Sequence, residues 1–312
     1  MANYISIDGG TTNTRIALVV NGKIIDSQKY GVGAGAGAEG KKLLESTVAQ
    51  GISEILERNN LASKDIERIL ASGMITSEFG LHLLPHQLTP TGIVQMKENS
   101  EEVNLPNISD IPFVFMRGVK TECQSLETAD MMRGEETELM GIAKPEYGKS
   151  VYALMGSHTK MIKTDSEGKI TDFVTFLTGE LCAATAKNTI LKNAFSLENC
   201  TPEEEYLLKG YEYCKEKGIN EALFKVRILK NLFSCTENQA YSFFMGVILT
   251  CDAEYALNSD AETVVVAGNK PLRNALVLIL EEKSSAKIVN LSDEEVGNSV
   301  VLGQIRIYET KL

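Results

Sequence analysis

The sequence predicts an α/β protein built from two similar domains, residues 1–148 and 149–312. Three observations predict it. Short apolar strands alternate with longer helical segments, one stretch of the chain aligns with another, and each copy carries a polar, glycine-bearing turn at the same place. At 312 residues the chain is long enough for two ordinary hydrophobic cores.

The repeat is the first element to justify. Ile5–Gly33 lies over Val151–Gly179 without a gap, at a constant offset of 146 residues. Gly10 falls on Gly156, Thr11 on Ser157, Gly22 on Gly168, Asp26 on Asp172 and Gly33 on Gly179. Each copy reads as three strands joined by tight turns. In the first, Tyr4–Ile7 leads into the turn Asp8–Asn13. Arg15–Val20 comes next, then an Asn21-Gly22 hairpin signal and Lys23–Tyr30. In the second, Val151–Met155 leads to Gly156–Thr159, Lys160–Thr164, a turn around Glu167-Gly168 and Lys169–Leu177.

The segments C-terminal to the two copies are parallel as well. After the first come a helix over Lys41–Asn59, a strand Arg68–Ser72, a polar connection, a strand Pro112–Met116 and a helix Asp130–Ile142. After the second come long helical segments, the apolar strand Thr263–Ala267, a helix from Pro271, a strand Ala286–Val289 and a last helix from about Glu294. A β-β-β-α-β-α-β-α pattern used twice is the layout of two ribonuclease-H-like domains in an actin-like ATPase arrangement, and it predicts a central cleft.

Composition excludes several classes of function. Hydrophobic content of 43%, charged content of 23%, a net charge of −11 and a pI near 5.0 describe a soluble protein. That balance argues against a nucleic-acid or anionic-membrane partner. The six cysteines, Cys123, Cys182, Cys200, Cys214, Cys235 and Cys251, form no C-x-x-C pair, so a reducing compartment is expected. Met1-Ala2-Asn3-Tyr4-Ile5 enters a strand directly, and the most apolar stretches are too short to span a bilayer. A cytoplasmic location is the expectation.

The turn Asp8-Gly9-Gly10-Thr11-Thr12-Asn13 has the residue types that phosphate binding requires. Glycines let backbone N–H groups approach an anion, hydroxyls add donors, and Asp8 can hold Mg2+ directly or through water. The second turn, Gly156-Ser157-His158-Thr159-Lys160, keeps the small and hydroxyl residues but has no aspartate. That asymmetry suits one turn for the metal and terminal phosphates of ATP and one for the rest. Gly268-Asn269 ends an apolar strand, where glycine allows a base or ribose to lie against the backbone.

Gly35-Ala36-Gly37-Ala38-Glu39-Gly40-Lys41 matches a Walker A loop until Lys42, which stands where the magnesium-binding hydroxyl belongs. The expectation is instead a glycine-rich loop in which Gly35 and Gly37 touch substrate. In Asp130-Met131-Met132-Arg133-Gly134-Glu135-Glu136-Thr137, helical spacing would place Asp130, Arg133 and Thr137 on one face. Asp130 is then the first candidate for the catalytic base and Glu135 the second, with Arg133 clamping a carboxylate. Ser72, Gly73 and Met74 after a strand are candidates for lining the sugar pocket, and Thr178, Gly179 and Glu180 at a helix start for donating to a sugar or phosphate oxygen of the substrate. Asp172 reads as structural, and the three histidines suggest no metal cluster.

Together, Ile7–Asn13, Ser72-Gly73-Met74, Met132-Arg133-Gly134-Glu135-Glu136-Thr137, Gly156–Lys160, Thr178-Gly179-Glu180-Leu181 and Val266-Ala267-Gly268 resemble the 2-dehydro-3-deoxygalactonokinase family. The motifs occur in order from Tyr4 to about Ile305, and M-R-G-E-E-T is the most specific of them. Many similar members have tryptophan where this chain has Gly9. The resemblance implies an ATP- and Mg2+-dependent kinase acting on the 6-hydroxyl of 2-dehydro-3-deoxy-D-galactonate, in galactonate catabolism. The expected partner is a small-molecule sugar acid, with no nucleic acid and no membrane, and a homodimer is compatible with the sequence. A kinase for another sugar acid would share the ATP machinery. A non-catalytic actin-like nucleotide switch would use the same turns.

Overall fold

The computed structural model describes residues 2–122, 124–198 and 200–312, so Cys123 lies outside the described residues. The chain divides into two compact units, Met1–Lys144 with Gly297–Leu312, and Pro145–Val296.

The first unit opens with three antiparallel strands, β1 (Tyr4–Gly9), β2 (Thr14–Val20) and β3 (Lys23–Tyr30). The long helix α1 (Gly37–Arg58) returns the chain to β4 (Arg68–Gly73), which pairs parallel to β1. The connection beyond β4 holds β5 (Gln87–Leu88), α2 (Ile93–Glu98) and β6 (Glu101–Val103) before β7 (Phe113–Phe115) completes the sheet. Its order is β3-β2-β1-β4-β7-β6. Two short strands, β8 (Val119–Lys120) and β9 (Met131–Met132), join β5 in a small second sheet, and α3 (Glu135–Ile142) comes after them.

Alternation along β1 sets the two faces of this sheet. Ile5 and Ile7 point to one side, into a core with Ile16, Leu18 and Leu44, Val48 and Ile52 of α1. On the other side Ser6 Oγ donates to Gln304 Oε1 at 2.6 Å, and Gln304 Nε2 donates to Ile7 O and Ser72 Oγ, both at 2.9 Å. Gln304 belongs to the C-terminal segment, which crosses α3 at glycines on both sides. A Cβ on Gly141 would overlap Ser299 O, and one on Gly303 would overlap Thr137 O.

The second unit repeats the plan. Antiparallel β10 (Ser150–Met155), β11 (Thr159–Thr164) and β12 (Ile170–Phe176) are followed by α4 (Thr178–Asn188), α5 (Glu204–Lys217), α6 (Ile219–Leu232), α7 (Glu237–Ile248) and α8 (Thr250–Leu257). Then come β13 (Thr263–Gly268), α9 (Lys270–Lys283), β14 (Lys287–Asn290) and α10 (Asp293–Glu309). The order is β12-β11-β10-β13-β14, with β13 parallel to β10 as β4 is to β1. The repeated Gly22 and Gly168 both take left-handed conformations, with φ of 75° and 77°. Helix α7 is buried along most of its length because α5 packs against it where Gly210 and Gly246 leave no room for a side chain.

Three boundaries differ from the sequence reading. Gly297–Leu312 clusters with the first unit, so α10 begins in one unit and ends in the other, where the sequence reading assigned all of 149–312 to the second. Helix α1 starts at Gly37, within the glycine-rich stretch, rather than at Lys41. Helix α3 starts at Glu135 rather than Asp130, because Gly134 at φ 117° breaks the chain there and Met131–Met132 pairs with β8. Among the described residues, no helix is long and apolar enough to cross a membrane.

Candidate active site

In the first unit the turn after β1 is closed by Gly10 N–H donating to Asn13 O at 2.8 Å, with Thr11 and Thr12 exposed on its outer side. Asn13 Nδ2 donates to Thr12 Oγ1 at 2.8 Å, which orders the tip. The glycine-rich stretch is laid against this turn by two backbone bonds, Ala34 N–H to Gly10 O at 3.1 Å and Gly35 N–H to Thr11 O at 2.7 Å. Gly33 is required by the same contact, since a Cβ there would stand 2.5 Å from Gly10 O. Gly35 thus supports the turn from behind, and Gly37, at φ 68°, opens α1. Gly9 is fitted to its neighbour too: a Cβ would come within 2.6 Å of Ile75 Cβ, so this chain has no room for a bulky residue there.

A second layer of glycines continues from strand to strand. Gly73, at φ 83°, ends β4 with its α-carbon against Gly9 O, and Gly134 approaches Gly73 in turn. This stack brings the start of α3 up to the end of β1. Asp8 lies there half-buried, and burial raises its carboxyl above the usual range. Arg15 and Lys29 pull it back down, while the negative charge of Glu135 pushes it further up. Asp8, Gly10, Asn13, Arg15 and Lys29 line a cavity of about 550 Å³ with Ser27 and Gln28.

Glu135 therefore stands within electrostatic reach of Asp8, and its Oε2 accepts from Arg133 N–H at 3.1 Å. Glu136, fully buried, accepts from Gly134 N–H with both oxygens and is pushed up to about 7, first by burial and then by Glu135. Glu138 is pushed up to about 8 by burial, Glu135 and Asp8. Asp8 and Glu135 thus make each other's surroundings more negative at the end of β1. Among the described residues no group of three or more metal-binding side chains converges. The donor set fits Mg2+, which keeps waters and takes one or two carboxylates together with phosphates, better than a caged ion.

Several expected site residues have other roles. Asp130 precedes β9 rather than opening a helix, and its Oδ1 accepts from Met131 N–H at 2.6 Å. Asp130, Arg133 and Thr137 consequently share no helical face, and Thr137 is buried in α3. Arg133 Nη1 donates to Thr76 O at 2.9 Å and Thr76 Oγ1 at 2.5 Å, and Nη2 donates to Leu84 O at 3.1 Å. His86 Nδ1 lies 3.3 Å from Nη2, and burial, Arg133 and Lys120 push that imidazole down to about 4, so it accepts as a neutral ring. The guanidinium is thus committed to the connection after β4 rather than to a carboxylate clamp. Ser72 is fully buried and engaged by Gln304, so it does not line a pocket, whereas Met74 is half-buried beyond Gly73.

The second unit holds the other turn. Gly156 is half-buried, Ser157 and His158 are exposed, and His158 Nε2 lies 3.1 Å from Glu180 Oε1. A Cβ on Gly179 would overlap Gly156 O, and Glu180 N–H donates to Ser157 O at 3.0 Å. Gly33 on Gly10 and Gly179 on Gly156 are therefore one contact made twice, which is why these glycines recur at matching positions of the repeat. Likewise Gly268, at φ 93°, packs on Met155 O as Gly73 packs on Gly9 O. Of the residues read from sequence as donors to a sugar or phosphate oxygen, Gly179 and Glu180 pack on the second turn, and the Thr178 hydroxyl is bonded to Asp252. Thr159 and Lys160 are buried, with Lys160 Nζ donating to Thr175 Oγ1 at 2.6 Å.

Beside this turn lies a cavity of about 300 Å³. Gly156, Ser157, Gly179 and Asn269 form its polar side, and Asn269 Oδ1 caps α9 by accepting from Leu272 N–H at 3.4 Å. Cys182 and Ala183 of α4, Leu197, Tyr241 and Met245 of α7, and Pro271 and Leu272 of α9 supply an apolar lining. These residues escaped the sequence reading because they look like ordinary core positions. Arg15 and Lys29 escaped it because strand alternation alone does not say that they flank Asp8.

Residues 8–296 match the model of the 2-keto-3-deoxy-galactonokinase family. The chain is 27% identical over 274 residues to 2-dehydro-3-deoxygalactonokinase of Escherichia coli, with 85% of each covered. Its fold is shared with a crystal structure described as a 2-dehydro-3-deoxygalactonokinase from Sinorhizobium meliloti, at a TM-score of 0.75, 20% identity and 97% coverage of both chains. A more distant likeness is to component A of (R)-2-hydroxyglutaryl-CoA dehydratase from Acidaminococcus fermentans, at a TM-score of 0.52 and 15% identity, covering 99% of this chain and 97% of that one. The chain belongs to the 2-keto-3-deoxy-galactonokinase family.

Proposed function

We propose that this chain transfers the γ-phosphoryl group of ATP to the 6-hydroxyl of 2-dehydro-3-deoxy-D-galactonate, giving 2-dehydro-3-deoxy-6-phosphogalactonate and ADP. The observation that carries the reading is the matched pair of glycine-backed turns, of which only the first has a carboxylate, Asp8, and only the second adjoins an apolar cavity. The substrate comes from family membership and from the name of the Escherichia coli relative. The actin-like arrangement of the two units and a cytoplasmic setting belong to the same proposal.

In this reading the purine lies among Ala183, Tyr241, Met245 and Leu272, with its ribose at Gly268 and Asn269. Gly156, Ser157 and the start of α4 receive the inner phosphates, and Gly10, Thr11, Thr12 and Asn13 the transferred one. Asp8 would hold Mg2+, which supplies charge neutralisation to the phosphates when bound. Arg15 and Lys29 add positive charge on the same side of the turn. The acceptor oxygen bonds to the γ-phosphorus as the bond to the β-phosphate oxygen breaks, and the hydroxyl proton passes to a carboxylate. Glu135 is the better placed base, being within reach of Asp8, with Asp130 the alternative. Gly73 and Met74 would border the sugar acid, and Arg133 positions the connection that contains Met74.

A coupled ADP-release assay with Mg-ATP and a panel of 2-dehydro-3-deoxy sugar acids tests the reading. Turnover on the galactonate epimer well above that on the gluconate epimer is expected. Turnover on the gluconate epimer alone would reassign the substrate, and no turnover with any sugar acid would remove the kinase assignment.

A further inference from the structure

Asp252 is a fully buried carboxylate that neither turn contains and no motif includes. It sits in the first turn of α8, which packs against β11 beneath the second phosphate turn. The helix is held there by Tyr255, whose ring meets Phe176 edge-on at 6.2 Å and lies 4.8 Å from the Lys163 ammonium. Thr178 Oγ1 stands 2.9 Å from both Asp252 oxygens and donates its single proton to them. The Thr159 hydroxyl is buried on the same side, near this carboxyl, and makes no hydrogen bond among the described residues.

These two threonines flank the Gly156–His158 turn, Thr159 at its exit into β11 and Thr178 at the start of α4. Above the turn, α4 is already bolted to it by Glu180 N–H on Ser157 O and by the close contact of Gly179 with Gly156. Thr178 does not cap its own helix, and Leu177 before it supplies no side-chain cap. Its hydroxyl is turned inward to α8 instead. A buried carboxylate is costly unless its oxygens accept hydrogen bonds, so one that accepts the Thr178 hydroxyl while α8 packs on β11 ties the start of α4 to the strand that leaves the turn.

We propose that Asp252 is a positioning residue for nucleotide binding. From beneath the sheet it locks the first turn of α4 and the start of β11 around the second phosphate turn, without touching the ligand. This deepens the kinase reading above and rests on it. The alternative role, a cap for α8 through its own backbone N–H, predicts lost stability with no selective effect on nucleotide.

The test measures ADP affinity by calorimetry, with steady-state kinetics in ATP and in sugar acid, for wild type, Asp252→Leu and Thr178→Val. Losing the hydrogen bond between Thr178 and the buried Asp252 carboxyl predicts that Asp252→Leu raises the ADP Kd and the ATP KM about tenfold. Saturating kcat and the sugar-acid KM should stay within about twofold, because the loss falls on ground state and transition state alike. Thr178→Val should reproduce the rise, and the double variant should add little, since the pair acts as one unit. A lower melting temperature with unchanged ADP affinity in Asp252→Leu would overturn the proposal. Should that variant fail to fold, unchanged ADP affinity in Thr178→Val overturns it equally. A wild-type protein that binds no ADP would sink the kinase reading and this proposal together.

Discussion

The backbone N–H of Arg133 donates to Glu135 Oε2 at 3.1 Å, which pins the Glu135 carboxylate over the start of α3. The same carboxylate raises the proton affinity of Asp8, so it is held close to the turn after β1. Asp130, just before β9, is occupied with Met131 N–H. Glu135→Gln should therefore lower kcat by about 10²–10⁴-fold, the usual contribution of a positioned base, with ADP affinity nearly unchanged. Asp130→Asn should cost about tenfold or less on the same scale. Single-turnover kinetics on both variants decides between them, and the reverse ranking would return the role to Asp130.

Gly179 and Gly33 tolerate no side chain. Gly179→Ala drives a Cβ into Gly156 O, and backbone cannot yield as a side chain can. We expect a stability loss of about 1–3 kcal/mol with weakened ATP binding. Gly33→Ala, behind the Asp8 turn, should lose similar stability and, on the proposed function, depress kcat more than ADP affinity. Denaturant titration paired with ADP calorimetry separates the two.

Ala183 lines the apolar cavity on the outward side of α4 and is half-buried. Ala183→Trp should fill the space assigned to the purine. The expected result is a large rise in ATP KM with the thermal midpoint almost unmoved. An unchanged ATP KM would place the nucleoside elsewhere.

Arg133 ties the end of β9 to the connection after β4 through Thr76, Leu84 and His86. Arg133→Met strands those acceptors and should destabilise by about 2–4 kcal/mol, from bonds to a charged donor worth about 1.5–3 kcal/mol. Arg133→Lys should recover little, because an ammonium cannot reproduce the fork that reaches Thr76 and Leu84 together. Chemical denaturation measures both. Hydrogen exchange should show the loosening confined to residues 76–86.

Glu136 predicts a pH dependence of stability. Its carboxyl is raised from 4.5 to about 7, so the folded protein keeps a proton that the unfolded chain releases earlier. The contribution is complete below pH 4.5 and is lost as pH rises through about 7. Relative to Glu136→Gln, the wild-type melting temperature should fall across that window and run parallel above it. Calorimetry of both proteins at matched ionic strength gives the difference curve. A flat difference would mean that Glu136 is ionised in the folded state.

The repeated strand-turn-strand-turn-strand units, and the glycines that recur in them, are written in the linear chain. A hairpin is local, and a residue that must carry no Cβ leaves an unambiguous mark. Gly10 with Gly33 and Gly156 with Gly179 were legible together because one backbone contact is made in both copies. The residues of M-R-G-E-E-T were legible as a motif, but their roles were not. Whether Gly134 continues a helix or interrupts it depends on β8 pairing with β9, and that pairing sends Arg133 to Thr76 and Asp130 away from α3. Long-range packing, and nothing local, lays the C-terminal segment over the first sheet, where Gln304 meets Ser6 and Ser72 across nearly the whole chain. The same packing gathers α4, α7 and α9 around the apolar cavity and sets Asp252 beneath Thr178. Such contacts join residues far apart in sequence whose local patterns are those of ordinary core and helix surface, so the chain carries no mark that sets them apart before it folds.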